Sequence, residues 1–279
     1  MFFEGMQGLG DNFYQRAVIR ELPGRHQLVT SWPQLYADLP VDCVKPRTTL
    51  RTQVKNIARR DIRWSEAPRG TARRVHYVGQ DGTMLSGLCH SFGVAASRIT
   101  FDGPPMETPD RERYIVVRPG TVRAEWRADS RNPLPEYIDR ACRALRSRFR
   151  IVSIADLADG AEWLAGPAPY AHERYHAGEL KIEQLLGLVA GAAGVIGGVG
   201  WLVPAAVAYR VPMLLIYGGW GFHNGPARIF DPRMDVSRIE QVVPDRFCMC
   251  TSPAHGCDKR ISRIDDHIER FALRLAAAQ

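Results

Sequence analysis

The chain has no apolar run suited to crossing a membrane. Residues 185–209 carry no charge, but six glycines and a proline interrupt them, so no spanning helix is expected there. Nor does the opening Met1-Phe-Phe-Glu-Gly have the basic flank and long apolar core of a secretory signal. Both absences lead to the expectation of a cytoplasmic protein with no transmembrane segment. Cysteine is sparse, with six in 279 residues, and in that compartment free thiols or a metal site come before disulfides. Lysine is scarcer than arginine. The net charge of +7 and pI near 9.3 come mainly from arginine clusters at Arg59-Arg60 and within 69–74, 111–131 and 140–150. Such an excess favours anionic partners (nucleotide phosphates, an anionic glycan or glycolipid, nucleic acid) and permits peripheral membrane contact. The same arginines also serve as plain solvated surface.

The length is enough for about two domains of roughly 100–150 residues. Apolar starts and runs alternate with helical patterns: strands are expected at 1–4, 26–30, 41–44 and 75–78, and helices through Ala17 and Leu22, around 33–38, near 50–60 and over 84–92. This alternation predicts an α/β protein with parallel sheets. Residues 102–113, DGPPMETPDRER, read as a linker, which puts one domain at 1–105 and a second at 113–260. In the second, Tyr114-Ile-Val-Val117 and 149–154 read as strands and 135–148 as a helix begun by a proline. The segment 155–177 looks irregular, and an amphipathic helix closes the chain within 261–279.

The stretch 180–221 is the most informative. A leucine-rich helix leads into Val195-Ile196 and then Gly197-Gly198-Val199-Gly200, followed by a short helix from Trp201 and a strand Met213-Leu-Leu-Ile-Tyr217 ending at Gly218-Gly219. A buried strand whose glycines open a helix leaves backbone N–H groups where phosphate can be held.

Two α/β halves, each with a glycine-rich turn, resemble the GT-B glycosyltransferases, in particular the heptosyltransferase-like family that includes lipopolysaccharide heptosyltransferases. Gly8-Leu9-Gly10-Asp11 resembles that family's N-terminal signature. Tyr114-Ile-Val-Val-Arg-Pro-Gly120 followed by Glu125-Trp126 is similar to the strand opening its second domain, and the run from Gly178-Glu179 to Gly218 is similar to its donor-binding βαβ. The resemblance implies two Rossmann-like domains facing a cleft and an inverting sugar transfer that needs no metal for catalysis. The donor would be a nucleotide-diphosphate sugar. The acceptor would be a hydroxyl on a lipopolysaccharide-type glycan or on modified DNA. One departure stands out. Where the family shows Asp-Thr/Ser-Gly and then His, this chain has Val199-Gly200-Trp201-Leu202-Val203-Pro204, so the diphosphate would rest on backbone N–H groups and arginines.

The resemblance makes Asp11 the base that deprotonates the acceptor; a helix N-cap is its other reading. Gly8, Gly10 and Asn12 form the acceptor-side loop. Arg118, Thr121 and Arg123 lie at a strand's carboxyl end and suit diphosphate oxygens. Glu179 suits ribose hydroxyls, or else the N-terminus of its helix. Gly198, Val199, Gly200 and Trp201 complete the donor cradle. Gly218, Gly219, His223 and Asn224 lie in a glycine–aromatic loop suited to stacking on a base or sugar. Cys248, Cys250, His255 and Cys257 match the ligand count of a structural zinc, although Cys-x-Cys is not the usual spacing; another metal or iron–sulfur role and ordinary thiols are the alternatives. Cys43, Cys89 and Cys142 sit in apolar patterns and read as core. The competing function is a non-catalytic nucleic-acid-binding protein with a degenerate GT-B fold and a zinc knuckle.

Overall fold

The computed structural model describes residues 1–77 and 82–277. They form two compact units, one of Met1–Pro105 with Ala227–Asp235 and one of Met106–Pro226 with Val236–Gln279. The sequence reading placed 227–235 inside the second domain; in the structure this segment packs with the first.

The first unit carries β1 (Phe2–Glu4), α1 (Leu9–Ile19), β2 (His26–Val29), β3 (Val41–Val44), α2 (Arg51–Ile57), β4 (Arg73–Arg74) and α3 (Met84–Phe92). Its four strands are all parallel, in the order β3-β2-β1-β4. The helix expected around 33–38 is a short 3-10 turn, Pro33–Tyr36. The strand expected at 75–78 begins earlier: β4 pairs Arg73 and Arg74 with Phe3 and Glu4, Val75 N–H still donates to Glu4 O, and Val78 lies outside the described residues. Helix α3 is bounded by local chemistry, since the Thr83 hydroxyl accepts the Ser86 N–H at its start and Gly93 turns left-handed at its end (φ +76°).

The core of this unit is unusually polar around α1. Arg16 is fully buried. Its guanidinium donates to both carboxylate oxygens of Asp38 (2.6 and 2.7 Å), to Leu35 O (2.7 Å) and to Asp102 O (3.0 Å). The returning segment is anchored at Asp231, which accepts the Thr83 hydroxyl and two N–H groups of Arg233 (2.6 and 2.9 Å), while Ile229 O accepts the Tyr14 hydroxyl.

The second unit carries β5 (Tyr114–Arg118), β6 (Thr121–Arg123), α4 (Pro135–Leu145), β7 (Arg150–Ile154), β8 (Glu162–Leu164), β9 (Glu173–Tyr175), α5 (Ile182–Ala190), β10 (Gly194–Gly197), α6 (Leu202–Ala208), β11 (Met213–Ile216), α7 (Gly221–Asn224), β12 (Ile239–Val242) and α9 (Ile264–Ala277), while α8 (Pro226–Ile229) begins at its border and runs into the returning segment of the first unit. Six parallel strands run β12-β11-β10-β5-β7-β9, and β6 with β8 forms a separate antiparallel pair. The segment read as irregular therefore holds two strands, β8 and β9. Because side chains alternate across a strand, Ile115 and Val117 face a core with Ile138 and Leu145 of α4 and Phe271 and Leu275 of α9. Tyr114 points the other way, its hydroxyl donating to Leu188 O of α5 (2.9 Å). Burial on both faces explains the continuous apolar strands that made this half legible. Among the described residues no helix is long and apolar enough to cross a membrane.

Candidate active site

The order of strands fixes where ligands belong in each unit. In the first, the chain builds β1, β2 and β3 to one side and then places β4 on the opposite side of β1. In the second it builds β5, β7 and β9 outward before β10, β11 and β12 fill the other side of β5. Each sheet thus has one switch point, β1/β4 and β5/β10, where parallel sheets open a crevice outside their carboxyl ends. Asp11 and Tyr77 lie on the chain leaving β1 and β4. Arg118 and residues 197–200 lie on the chain leaving β5 and β10.

Asp11 occupies the first turn of α1, partly exposed. Its Oδ2 accepts the Gly8 N–H (3.2 Å) and its Oδ1 accepts the Tyr77 hydroxyl. The N-cap itself is Gly8, so Asp11 is not the cap its sequence offered: from the third helical position its carboxylate reaches back to the cap's N–H and lies at the switch point. Burial, reinforced by the Asp11 charge, holds the Tyr77 hydroxyl well above its usual pKa, so it remains a donor across any ordinary working pH. Tyr77 was not singled out from sequence. Asn12 needs correction. It is fully buried, its Nδ2 donates to Met6 O and Gly8 O, and its Oδ1 accepts from Thr30, Tyr36 and Gln15. It shapes the loop from inside and offers no face to an acceptor, whereas Gly8 and Gly10 are partly exposed in that loop.

In the second unit Arg118 ends β5, half-buried, with Nη2 3.4 Å from Thr121 Oγ1. A Cβ at Gly200 would come 3.1 Å from Arg118 Nη1, so the guanidinium lies close against the β10 turn. Burial, then Arg123 and Arg131 nearby, push the Arg118 pKa down to about 10, with Glu162 opposing. A cation made unfavourable by burial and like charges would gain from an anion beside it. Arg123 contributes to that field but is itself paired with Glu162 (2.9 Å), and Thr121 is buried. The helix-terminus cradle is weaker than its sequence suggested: α6 has seven residues and Pro204 as its third, with half-buried Trp201 at the cap and buried Val199 before it. Gly198 packs on Pro133. Glu179 lies ahead of its helix and accepts the Ala177 N–H (3.0 Å), so it is a turn-forming residue and does not occupy the first turn of α5.

The loop after β11 is tightly built. A Cβ at Gly218 would overlap Asn132 O, and one at Gly219 would overlap Cys257 Sγ. Trp220 adopts a left-handed conformation (φ +58°), which for a bulky residue costs about 1 kcal/mol or more. Its ring lies 5.4 Å from that of exposed His223, and Asn224 Nδ2 is 3.5 Å from Trp220 O.

Cys248, Cys250, His255 and Cys257 converge, with all four ligand atoms within 4.8 Å of one another. Cys250 Sγ lies 3.5 Å from Cys257 Sγ, and His255 Nδ1 lies 3.5 Å from Cys248 Sγ and 3.3 Å from Cys257 Sγ. A tetrahedral ion bound at about 2.3 Å to sulfur and about 2.0 Å to nitrogen places its ligands roughly 3.5–3.8 Å apart, so the cluster fits one ion.

No protein-family model matches the sequence, and no curated protein matches it. Solved structures do. The bacterial iron-containing dodecameric glycosyltransferase TibC from enterotoxigenic E. coli superposes with a TM-score of 0.65 at 15% identity, over 99% of this chain and 76% of that one. E. coli ADP-heptose lipopolysaccharide heptosyltransferase II gives 0.63 at 11%, over 99% and 98%. The chain has the GT-B fold. A glycosyl transferase family 9 protein from Veillonella parvula is a further GT-B relative in shape, with a TM-score of 0.57 at 12% identity over 99% and 97% of the two chains.

Proposed function

We propose that this chain is a glycosyltransferase that moves a sugar from a nucleotide-diphosphate donor to a hydroxyl of a glycan or lipopolysaccharide-type acceptor, with modified DNA as the next acceptor class. The observation that supports it is the pairing of chemistry with topology in a GT-B fold: a hydrogen-bonded carboxylate at the switch point of one sheet and a charge-stressed arginine at that of the other. TibC was solved with ADP-D-β-D-heptose, which makes ADP-heptose the first donor to test.

In this reading Asp11 takes the proton of the acceptor hydroxyl as it attacks the anomeric carbon from the face opposite the nucleotide, inverting that centre. Tyr77 holds the carboxylate in place, and Arg118 with Thr121 stabilises the departing diphosphate. The Cys/His cluster holds a structural ion, zinc by its donor set, because four protein ligands close a tetrahedral sphere. Elemental analysis of protein purified without chelator is expected to give about one equivalent of zinc; the iron of TibC makes iron the other element to measure. The nucleic-acid-binding alternative loses ground because much of the arginine is already paired, for example Arg25 with Asp42, Arg111 and Arg150 with Glu173, and Arg270 and Arg274 with Glu240.

Incubation with a panel of nucleotide sugars including ADP-heptose tests the proposal. Release or transfer of sugar from at least one is expected. If none is turned over and none raises the melting temperature, the enzyme reading is wrong. Replacing Arg118 with alanine is expected to weaken binding of the productive nucleotide diphosphate by about 10- to 100-fold, the size of a charge-assisted hydrogen bond. Isothermal titration checks this, and an unchanged affinity would remove Arg118 from the site. For Tyr77→Phe the expected signature is in pH. A donated hydrogen bond stabilises the ionised carboxylate, so its loss raises the Asp11 pKa and moves the acid limb of the kcat/KM profile up by about one unit. A merely structural Tyr77 would lower the rate without moving that limb.

A further inference from the structure

The metal loop and the donor loop are joined at several points within the second unit. Gly221 N–H donates to Cys248 O (2.9 Å), and the Trp220 indole N–H donates to Thr251 O (2.9 Å). Gly219 lies against Cys257 so closely that no side chain fits between them. A second bridge runs through the 3-10 turn Asp129–Arg131. Ser130 N–H and hydroxyl both reach Pro253 O (2.9 and 2.8 Å), Ser130 O accepts the Gly219 N–H (2.6 Å), and Lys259 Nζ donates to Asp129 O (2.9 Å). The same turn leads into Asn132, whose Nδ2 donates to Thr121 O beside Arg118 (2.9 Å).

We propose that the Cys248, Cys250, His255, Cys257 cluster is the positioning centre of the donor site: one tetrahedral metal ion fixes loop 248–257, which in turn sets loop 218–225 and the 129–132 turn in the geometry that receives a nucleoside diphosphate. The proposal rests on the donor reading given above. Its physical reason lies in the loop itself. Residues 248–257 contain no helix or strand, and the loop is tied to its neighbours through the carbonyls of Cys248, Thr251, Ser252 and Pro253, which must stay in place to accept. Four ligands on one ion fix those carbonyls, and a left-handed Trp220 keeps its conformation only while its partners hold it. Without the ion the three cysteines and the histidine have no common centre, and the acceptors of Gly221, Trp220 and Ser130 are free to move.

The test uses the full chain, metal-loaded and chelator-stripped, with Zn²⁺ added back, and ADP, UDP and GDP as probes. Hydrogen–deuterium exchange at the Gly219 and Gly221 amides is expected to slow about tenfold or more on adding zinc. Exchange in the β5 and β10 amides, deep in the sheet, is expected to stay constant, which separates loop ordering from folding of the unit. The dissociation constant of the probe that binds is expected to rise about tenfold or more in the stripped protein. Because stripping risks partial unfolding, Trp220→Phe provides a second arm. It removes the N–H to Thr251 O and leaves all four ligands, so zinc stoichiometry is expected to be unchanged while nucleotide affinity falls about threefold or more. Equal nucleotide affinity with and without zinc, or unchanged exchange at Gly219 and Gly221, overturns the positioning role. If zinc protects those amides but no nucleotide binds either form, the donor reading fails and the mechanical link stands.

Discussion

Asp11→Asn is expected to lower the rate of sugar transfer by about 10²- to 10⁴-fold, the usual contribution of a positioned general base, with nucleotide affinity nearly unchanged. Asparagine keeps the size of the side chain and an oxygen to accept the Gly8 N–H, and loses only a first-turn charge, so the change in stability is expected to stay within about 1 kcal/mol. What it loses is the capacity to take a proton. The carboxylate is held at both oxygens, by Gly8 N–H and the Tyr77 hydroxyl, and this fixes its orientation before any acceptor arrives. Initial rates at saturating donor, beside a thermal melt and a nucleotide titration, separate the outcomes. A variant within about threefold of wild type would return Asp11 to a purely capping role.

The second large effect concerns stability. Arg16→Ala is expected to cost the first unit about 3–5 kcal/mol, because it removes a large, fully buried side chain from the centre of the unit and leaves the Leu35 carbonyl without its donor, while the more exposed Asp38 turns to water and Arg20. The melting temperature would fall by roughly 6–20 °C. The dependence on pH has a definite sign. Its hydrogen bonds with Arg16 hold the Asp38 carboxyl below the usual carboxylate range, so the pair stabilises the fold above the unfolded pKa of about 3.9 and loses that contribution as pH falls through the depressed folded value. The stability gap between wild type and variant should therefore be full near neutral pH and narrow in acid. Denaturant unfolding at several pH values measures it; a gap that widens on acidification would contradict the assignment.

The sheet centres were readable because parallel strands covered on both faces must be apolar throughout, and Tyr114-Ile-Val-Val117 and Met213-Leu-Leu-Ile216 announce that directly. The edges were not. Strand β4 is two arginines, and β12 sets the adjacent polar pair Glu240-Gln241 between Ile239 and Val242, which is no alternation; each is a strand only because a neighbour's register makes it one. Strand β6 pairs with β8 across roughly 40 residues of chain, a non-local partner that no window of sequence contains. Asp11 and Arg118 stood out as candidates because Asp11 lies beyond β1 and Arg118 ends β5, each beside an exit turn that contains glycine. Tyr77 escaped because its strand was placed too late, and Asn12 was misjudged because a helix's first turn presents one residue outward and the next inward, a difference of register that only packing decides. Among the arginines read as a charged surface, Arg111 and Arg123 are partly buried partners of Glu173 and Glu162.

The return of residues 227–235 to the first unit has a consequence for the order of events during synthesis. Thr83 and Tyr14 acquire their partners only when Asp231 and Ile229 exist, about 130 residues after Pro105. At about 5–20 residues per second the first unit waits several seconds to half a minute on the ribosome with that face uncovered. The first unit is completed only by residues made after most of the second. A nascent fragment stopped at Pro105 should be more open to proteases and chaperones than the same residues in the released protein.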